Sequence, residues 1–220
     1  IKKIKPANIY LFNGRFSEIF PLMQYCRKHG IDFYTHERGA DISRYMIRKN
    51  SIPHSINYTI KEIDKLWSNG CENKYNIGKS FFEERIKGVE QSWYSFSKDQ
   101  IKNSMPEGFD INKINISIFN SSMDEYESIP DRENLVYEND NSGIDKICDS
   151  FKNNHFINFY LRVHPNLLGL DNTQIREIKK LDQIHKNLKV IYANEKIDSY
   201  QLVNLSDAII TFNSTIGVEA

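Results

Sequence analysis

A histidine that directly follows an apolar run is the strongest candidate for chemistry in this sequence. His164 ends the stretch YLRVH, and Pro165, which cannot donate a ladder hydrogen bond, would end the strand there. Arg162, two residues earlier, would point to the same side of a regular strand. An imidazole in this place can bind or protonate a departing phosphate. The alternative is a strand-end histidine whose ring is satisfied by a main-chain carbonyl.

Two hydroxyl groups occur where another apolar run passes into a helical pattern. The segment AIITFNSTIGVEA reads as a strand, then Asn213, Ser214 and Thr215, then the first turn of a helix. Free N–H groups, the positive end of the helix dipole and hydroxyl donors together suit a phosphate group. The alternative role of Ser214 or Thr215 is that of a simple helix N-cap, and the two roles are compatible.

A carboxylate is placed in a similar way near the start of the chain. Glu37, in the stretch THERGA, stands at the carboxyl end of a predicted strand, and Gly39 allows a sharp turn after it. Such a carboxylate can act as a general base that deprotonates a hydroxyl group. The alternative is a surface side chain paired with Arg38 or Arg44, and spacing alone favours that alternative.

A third strand end also carries hydroxyl groups, in the stretch FNSSMDEYES. Ser121 and Ser122 are candidate donors to a ligand, and Asp124 or Glu125 can accept a hydrogen bond from a sugar or ribose. A solvated loop with no such role is an equally good interpretation of this stretch.

The sequence predicts a scaffold that would bring these strand ends together. NIYLFNGR reads as a strand, SEIFPLMQYCRKHG as a helix that ends at Gly30, and IDFYTHERGA as a second strand, which makes one βαβ unit. Helices are predicted over residues 60–67 and 77–89. After residues 102–113, which we interpret as a linker, the strands INISIF, FINFYLRVHP, LKVIYA and AIITF alternate with helices. The helix NTQIREIKKLDQIHK is predicted to begin with an Asn cap.

This alternation of strands and helices predicts an α/β protein whose parallel sheets are covered on both faces. We expect two Rossmann-like domains, residues 1–108 and 109–220, with ligands bound beyond the carboxyl ends of the strands. His164 and the hydroxyls of Ser214 and Thr215 should then converge at the tips of neighbouring strands. The sequence begins with Ile and ends inside a helical pattern. We therefore expect both domains to be incomplete and this segment alone to be catalytically inactive.

Composition excludes several classes of partner. Lys+Arg and Asp+Glu are balanced at 29 each in 220 residues, which argues against nucleic acid as the main partner. No apolar run reaches the length of a membrane span, and the first residues do not resemble a signal peptide.

The distant cysteines Cys26, Cys71 and Cys148 fit a reducing, cytoplasmic setting and no metal site. The aromatic residues, Trp93 and Tyr94 near the linker among them, are interpreted mainly as core or interdomain packing, and lining a cleft is the alternative for these two.

Taken together and in order, these motifs resemble a known family. FNGR, ERGA, IFNSSMDE, RVHPN and IDSYQLVNLSDAIITFNSTIGVEA are similar to bacterial capsule and surface-polysaccharide biosynthesis proteins. More broadly, they resemble GT-B glycosyltransferases of the Kdo-transferase and bacterial sialyltransferase type. The resemblance covers residues 8–220 and is poorly marked over residues 50–110. His164-Pro165, Ser214-Thr215 and Glu37-Arg38-Gly39 match the family's His-Pro, Ser/Thr and acidic-x-Gly motifs.

The resemblance implies a GT-B fold in which the second domain holds the donor nucleotide and Glu37 activates the acceptor. The predicted residues for the donor phosphate and nucleotide are Ser121, Ser122, Arg162, His164, Pro165, Ser214 and Thr215, of which the resemblance implies the His-Pro and Ser-Thr pairs. The residues it implies for the acceptor side of the cleft are Asn13, Arg15, Arg38, Gly39 and Glu125. Glu37 and His164 are the implied catalytic pair.

The activity that the resemblance implies is transfer of a sugar from a nucleotide donor, with CMP-sugars as candidates, to a capsular or surface polysaccharide or a glycolipid. No cofactor besides the donor substrate is expected, and the protein would work in the cytoplasm or at the inner face of the membrane. One departure concerns Arg38, which stands where the family often has a second acid. The absence of an Asp-x-Asp pair agrees with transfer that needs no metal.

Three other functions remain open at the level of sequence. A CDP-glycerol or CDP-ribitol phosphotransferase of the teichoic-acid type also uses strand-end histidines and a Ser-Ser helix start, but generally has Asp-Tyr-Ser-Ser where this chain has FNST. A UDP-sugar 2-epimerase would need a glycine-rich loop that the sequence does not show. A non-catalytic GT-B scaffold would keep the pockets and only organise partners.

Overall fold

A computed structural model describes residues 4, 6–39, 43–70, 72–87, 89, 96–125, 129 and 136–220. The chain forms two compact units. The first comprises Ile1–Tyr94 and Tyr126–Glu133, and the second comprises Ser95–Glu125 and Asn134–Ala220. Cys71, Trp93 and Tyr94, which the sequence analysis singled out, lie outside the described residues. The domain boundary predicted after residue 108 falls inside the second unit.

The first unit contains the predicted βαβ crossover. Strands β1 (Ile9–Phe12) and β2 (Phe33–Arg38) are parallel, and helix α1 (Phe20–His29) connects them. Gly30 ends α1 with a φ of 62°, a left-handed conformation that glycine adopts without steric cost. Helices α2 (Ile56–Ser68) and α3 (Lys74–Ile86) follow the sheet. This part of the predicted secondary structure is confirmed.

The sheet of the first unit is mixed, so the prediction of two parallel sheets is wrong here. Strand β3 (Tyr45–Lys49) pairs antiparallel with β2. The connection between them is short, and a short connection can join only antiparallel neighbours. The N–H of Gly39 donates to the carbonyl of Arg44 at 2.8 Å, and a Cβ on Gly39 would come within 2.9 Å of that backbone. Glycine is therefore needed at the turn.

Only one face of this sheet is buried among the described residues. Leu11 and Phe33 pack with Met23 and Cys26 of α1. The opposite face remains exposed, with Tyr10 of β1 64% and Tyr45 of β3 70% accessible. The expectation that helices cover both faces is therefore wrong for the described part of the first unit.

The second unit is an open sheet of four parallel strands. They are β4 (Ile114–Phe119), β5 (Ile157–Arg162), β6 (Leu188–Ile191) and β7 (Ala208–Thr211), in the spatial order β6-β5-β4-β7. Helices α4 (Asp140–Ser150), α5 (Thr173–Ile184) and α6 (Ser199–Asn204) connect successive strands, and α7 (Ile216–Glu219) follows the last one. All four strands predicted for this half of the chain are confirmed.

The strand order of the second unit reverses at β4. The chain passes from β4 outward to β5 and β6, then returns through α6 to place β7 on the other side of β4. In open α/β sheets, the crevice at such a reversal, beyond the carboxyl ends of the strands, is the usual ligand site. The usual ligand position in such a sheet is therefore next to the residues that follow β4, β5 and β7.

Helices cover both faces of this second sheet, as predicted. Ile118, Phe159 and Leu161 pack on one face with Ile144 of α4 and Ile178 of α5. The other face buries a second cluster, formed by Phe119, Tyr160, Ile191, Leu202 and Ile216. Alternate side chains of each strand reach opposite faces, so two apolar layers follow from near-continuous apolar strands.

Local capping explains where the helices of the second unit begin. The Asn172 side chain accepts from the N–H of Ile175, which confirms the predicted Asn cap of α5. Asn139 forms a reciprocal capping box with Ser142 at the start of α4.

The segment 102–113, interpreted from sequence as a linker, packs within the second unit, with the centroid of the Phe109 ring 5.1 Å from that of the Tyr160 ring.

No helix in the described part of the chain is long and apolar enough to cross a membrane.

Candidate functional site

The carboxyl ends of β4, β5 and β7 lie at one edge of the second sheet. Phe119 of β4 is in register with Arg162 of β5 on one side and with Thr211 of β7 on the other. The segments that follow these residues therefore leave the sheet at the same level. His164 and Ser214 extend from strands that are not neighbours, because β4 lies between them, which corrects the expectation of adjacent strands.

The imidazole of His164 is held at one nitrogen and open at the other. Its Nδ1 accepts a hydrogen bond from the main-chain N–H of Asn166 at 3.2 Å. An accepting Nδ1 places the proton of a neutral ring on Nε2. Among the described residues, Nε2 has no hydrogen-bond partner, and the ring edge of Phe96 lies nearby, with centroids 6.2 Å apart. The alternative of a ring satisfied by a main-chain carbonyl does not occur in the described structure.

Burial favours the uncharged form of this histidine. Desolvation lowers the pKa of His164, and the nearby carboxylates of Glu125 and Asp124 oppose that shift without reversing it. At neutral pH the ring is therefore a neutral Nε2–H donor. A neutral donor can bind an anionic oxygen directly, and a bound anion would in turn favour protonation of the ring.

Arg162 is buried and fixes the loop that follows β6. Its guanidinium donates to the carbonyl of Tyr192 at 2.8 Å and to that of Glu195 at 3.0 Å, and only 6% of the residue is accessible. Burial lowers its pKa, while the charge of Glu195 acts in the opposite direction. The structure thus gives Arg162 a positioning role in the fold, and its predicted contact with a phosphate stays a prediction.

The turn after β5 is built around Pro165. A short 3-10 helix, Pro165–Leu167, begins immediately after His164 and buries Leu167 in the core. The side-chain amide of Asn166 donates to the carboxylate of Glu125, which belongs to the loop after β4. The predicted acceptor-side residue Glu125 therefore lies in the second unit, linked to the turn that carries His164.

The loop after β4 is buried and held by side chains from two helices. The N–H and hydroxyl of Ser121 donate to Asp140 at 3.1 and 2.9 Å, and the Ser121 carbonyl accepts from Gln174 at 2.8 Å. The hydroxyl of Ser122 donates to Asp124. Both serines are about 2% accessible or less, so the alternative of a solvated loop is wrong for them. Their hydroxyl protons are used within the protein, and a ligand contact by either stays a prediction.

The carboxylate that holds this loop is buried, and its pKa is raised. Asp140, at the first turn of α4, is 5% accessible. Desolvation raises its pKa, although the hydrogen bonds from Ser121 act in the opposite direction. Gln174 completes the loop by accepting the N–H of Met123 at 3.1 Å.

The segment after β7 presents two hydroxyl groups that make no hydrogen bond to any described residue. Asn213 has a φ of 56°, which turns the chain sharply out of the strand. Thr215 occupies the N-cap position of α7 without a side-chain capping bond. In the described part of the chain, neither the Ser214 nor the Thr215 hydroxyl makes a hydrogen bond. The simple N-cap alternative therefore does not account for these two residues.

In the first unit, a buried asparagine holds Glu37. Asn13 has a φ of 58° and is 2% accessible, and its amide donates to the Glu37 carboxylate. The other carboxylate oxygen accepts the main-chain N–H of Arg38 at 2.9 Å, and the Oδ1 of Asn13 accepts that of Arg15 at 3.2 Å. Among the described residues, Glu37 makes no ion pair with Arg38 or Arg44, so the surface-pair alternative is not observed.

Glu37 and Asn13 lie at adjacent carboxyl ends, because β1 and β2 are parallel and Phe12 is in register with His36. Gly39 follows as the turn into β3 described above. The roles predicted for these residues at the acceptor remain predictions. Glu37 belongs to the first unit and His164 to the second.

Sequence reasoning missed the residues that support the site. Asn120, Asp140, Asn166 and Gln174 make the hydrogen bonds that hold the loop after β4 and the turn after β5. Asn120 was open to detection, because it is the first polar residue after an apolar strand. Asp140 and Gln174 lie in the first turns of their helices, where polar residues are common for capping reasons alone.

Comparison with known proteins adds no relative: no family model matches the chain, and neither a curated protein nor a solved structure gives a significant match.

Proposed function

We propose that this chain belongs to a nucleotide-sugar-dependent glycosyltransferase of the GT-B type, which extends a bacterial surface polysaccharide or glycolipid. The observation that carries the proposal is a set of hydrogen-bond donors at one edge of the second sheet. His164 Nε2 and the hydroxyls of Ser214 and Thr215 have no partner among the described residues. They follow the two strands that flank β4, where the strand order reverses.

These donors suit the leaving group of a sugar transfer. When the bond between the anomeric carbon and the phosphate oxygen breaks, its electron pair stays on the phosphate, and negative charge grows there. The Nε2–H of His164 and the two hydroxyls would donate to that oxygen, and donors fixed in advance stabilise such charge most effectively. The buried guanidinium of Arg162, at the end of β5, adds a positive charge at the same edge of the sheet.

The proposal assigns the acceptor to Glu37. Its carboxylate would take the proton of an acceptor hydroxyl while the acceptor oxygen forms the new bond to the anomeric carbon. The hydrogen bonds from Asn13 and the Arg38 N–H would orient that carboxylate. The absence of an Asp-x-Asp pair supports a mechanism in which protein groups, without a metal ion, receive the leaving phosphate.

The first test is binding of nucleotides to the chain. We expect one of CMP, CDP, UDP or GDP to raise the midpoint of thermal unfolding, because a ligand that binds only the folded state stabilises it by mass action. His164→Ala should abolish that rise. The matched control is His155→Ala, since His155 is an exposed histidine just before the opposite, amino end of the same strand. It should leave the rise unchanged.

The outcomes separate the competing functions. A rise with a nucleotide that is lost in His164→Ala and kept in His155→Ala supports the donor site. Binding of CDP-glycerol or CDP-ribitol, with no binding of any nucleotide-sugar, would favour the phosphotransferase. No rise with any of these compounds would contradict the proposed donor site and leave the scaffold as the better interpretation.

A further inference from the structure

The pairing of β4 with β5 ends at Arg162, two residues before His164, and beyond it a side chain takes the place of the next main-chain acceptor. Successive N–H groups of a strand point alternately to its two neighbours. The N–H groups of Phe159 and Val163 donate to carbonyls of Asn187 and Ile191, on the β6 side. The N–H of His164 therefore points toward β4. It donates there to the side-chain Oδ1 of Asn120 at 2.9 Å.

Asn120 is the first residue after β4, at the centre of the strand reversal. It is 1% accessible, and the preceding carbonyl, that of Phe119, accepts the N–H of Phe212 beyond β7 at 3.0 Å. From Ser121 onward the main chain leaves the sheet to bond with Asp140 and Gln174. A main-chain carbonyl of β4 is thus replaced by the Asn120 side chain at the point where it would have met His164.

The amide group of Asn120 is the unexplained part of this arrangement. Its Nδ2 is buried and has no hydrogen-bond partner among the residues that the structure describes. A buried donor left unpaired lowers the free energy of unfolding, so stability alone does not favour asparagine here. Aspartate would supply the same acceptor, but it would bury a negative charge beside the imidazole of His164. Leucine would remove both polar atoms and leave the N–H of His164 unpaired.

We propose that Asn120 is a positioning residue for His164: its side-chain carbonyl fixes the backbone of His164 where β4 and β5 diverge, so that Nδ1 meets the Asn166 N–H and Nε2–H stays available. The neutral amide performs this task without altering the charge of the ring. The consequence for ligand binding rests on the proposed function, whereas the effect on the imidazole does not.

The experiment observes the imidazole directly. Histidine side chains of the ¹⁵N-labelled chain would be followed by long-range ¹H–¹⁵N spectra as a function of pH, with the signals of His164 assigned by their loss in His164→Ala. In the unchanged protein we expect the Nε2–H tautomer. In Asn120→Ala we expect the tautomer preference to be lost, because the backbone that presents Nδ1 to Asn166 is released.

The variant Asn120→Asp separates the effect of backbone position on the His164 ring from the effect of a nearby charge. It keeps the acceptor, so the Nε2–H tautomer should be retained, while the added carboxylate should raise the pKa of His164. This rescue of the tautomer by a conservative change is not expected of a residue that only contributes to packing. Asn120→Asp also provides the decisive measurement if Asn120→Ala does not fold.

The matched control is Asn115→Ala. Asn115 lies near the amino end of β4 and is also 1% accessible; its side-chain Nδ2 is bonded, and its Oδ1 has no partner within the described part of the chain. Its loss should destabilise the chain without changing the tautomer or pKa of His164. The proposal is overturned if Asn120→Ala leaves the imidazole signals as they are, or if Asn120→Asp leaves the pKa of His164 unchanged.

Nucleotide binding then tests the link to function. If a nucleotide binds, Asn120→Ala should weaken it by about tenfold or more, the scale on which outer partners affect ligands at metal sites. A change of tautomer with no nucleotide binding in any variant would support the positioning role and contradict the proposed function alone. Unchanged imidazole signals together with nucleotide binding would contradict the positioning role alone.

Discussion

Asn13 donates a hydrogen bond to the carboxylate of Glu37 across the carboxyl ends of two parallel strands. The donor residue has a positive φ, is buried, and also accepts the N–H of Arg15. One side chain therefore holds both the loop after β1 and the carboxylate at the end of β2. The arrangement leaves Glu37 oriented by fixed donors instead of by a mobile ion pair.

Replacement of Asn13 should separate backbone strain from the orientation of Glu37. Asn13→Ala places a Cβ at a φ of 58° without the side-chain bonds, whereas Asn13→Gly removes the bonds but relieves the strain. We expect the alanine variant to be less stable than the glycine variant by about 1 kcal/mol in urea unfolding. Equal stability of the two variants would show that the observed backbone conformation is not the one in solution.

The same two variants test the role of Glu37. If the protein transfers sugar as proposed, both variants should lower the rate by a similar factor, because both release the carboxylate. Glu37→Gln should have the larger effect, since it removes the base itself. A full rate in Glu37→Gln would exclude Glu37 as the base.

Arg162 should resist replacement by lysine. Its two guanidinium nitrogens reach two different carbonyls, at 2.8 and 3.0 Å, and a single ammonium group cannot reproduce that fork. Each hydrogen bond to a charged group contributes about 1.5–3 kcal/mol, so loss of one should be evident in the free energy of unfolding. The matched control is Arg176→Lys, since Arg176 pairs with Asp171 on the surface, where little change is expected. Equal effects in the two variants would contradict a structural role for Arg162.

The sequence alone predicted the strands of the parallel sheet, but it did not reveal the hydrogen-bond partners of the site residues. Near-continuous apolar runs such as INISIF and FINFYLRV are typical of strands buried on both faces, and all four were found as expected. The strand β3 was missed because YMIRK has no apolar alternation strong enough to indicate it. Its direction depends on the short turn at Gly39, a feature of three-dimensional geometry and not of periodicity.

The strand ends predicted from the sequence are confirmed, whereas the ligand roles of the residues at those ends stay predictions. Strand ends are visible in a sequence, so His164, Ser214 and Glu37 were found at the carboxyl ends as expected. Hydrogen-bond partners distant in the chain are not visible. The hydroxyl of Ser121 donates its hydrogen bond to Asp140, 19 residues later, and Asn120 accepts from the N–H of His164, 44 residues later.

Ligand binding should change the protonation of His164. Burial lowers the pKa of the free imidazole, and a bound phosphate would raise it, because an adjacent negative charge favours the protonated ring. Binding should therefore take up protons, and nucleotide affinity should rise as the pH falls toward the pKa of the free imidazole. Calorimetry in buffers of different ionisation enthalpy measures that uptake. His164→Ala should remove the part of the uptake that belongs to the ring, and an unchanged uptake would place the phosphate elsewhere.

Asp140 should make the folded state less stable as the pH rises. Its pKa is raised by burial, so the folded protein binds its proton more tightly than the unfolded chain does. The corresponding stability is fully present below the ordinary aspartate pKa of about 3.9 and is lost as the pH rises through the higher pKa of the folded state. Asp140→Asn cannot titrate, so its unfolding free energy should improve relative to the unchanged protein across that range. Urea unfolding at several pH values measures the difference, with Asp149→Asn on the exposed side of the same helix as the control. A difference between Asp140→Asn and the unchanged protein that stays constant with pH would mean that the carboxylate of Asp140 is not desolvated, and that the loop after β4 is more open than the structure shows.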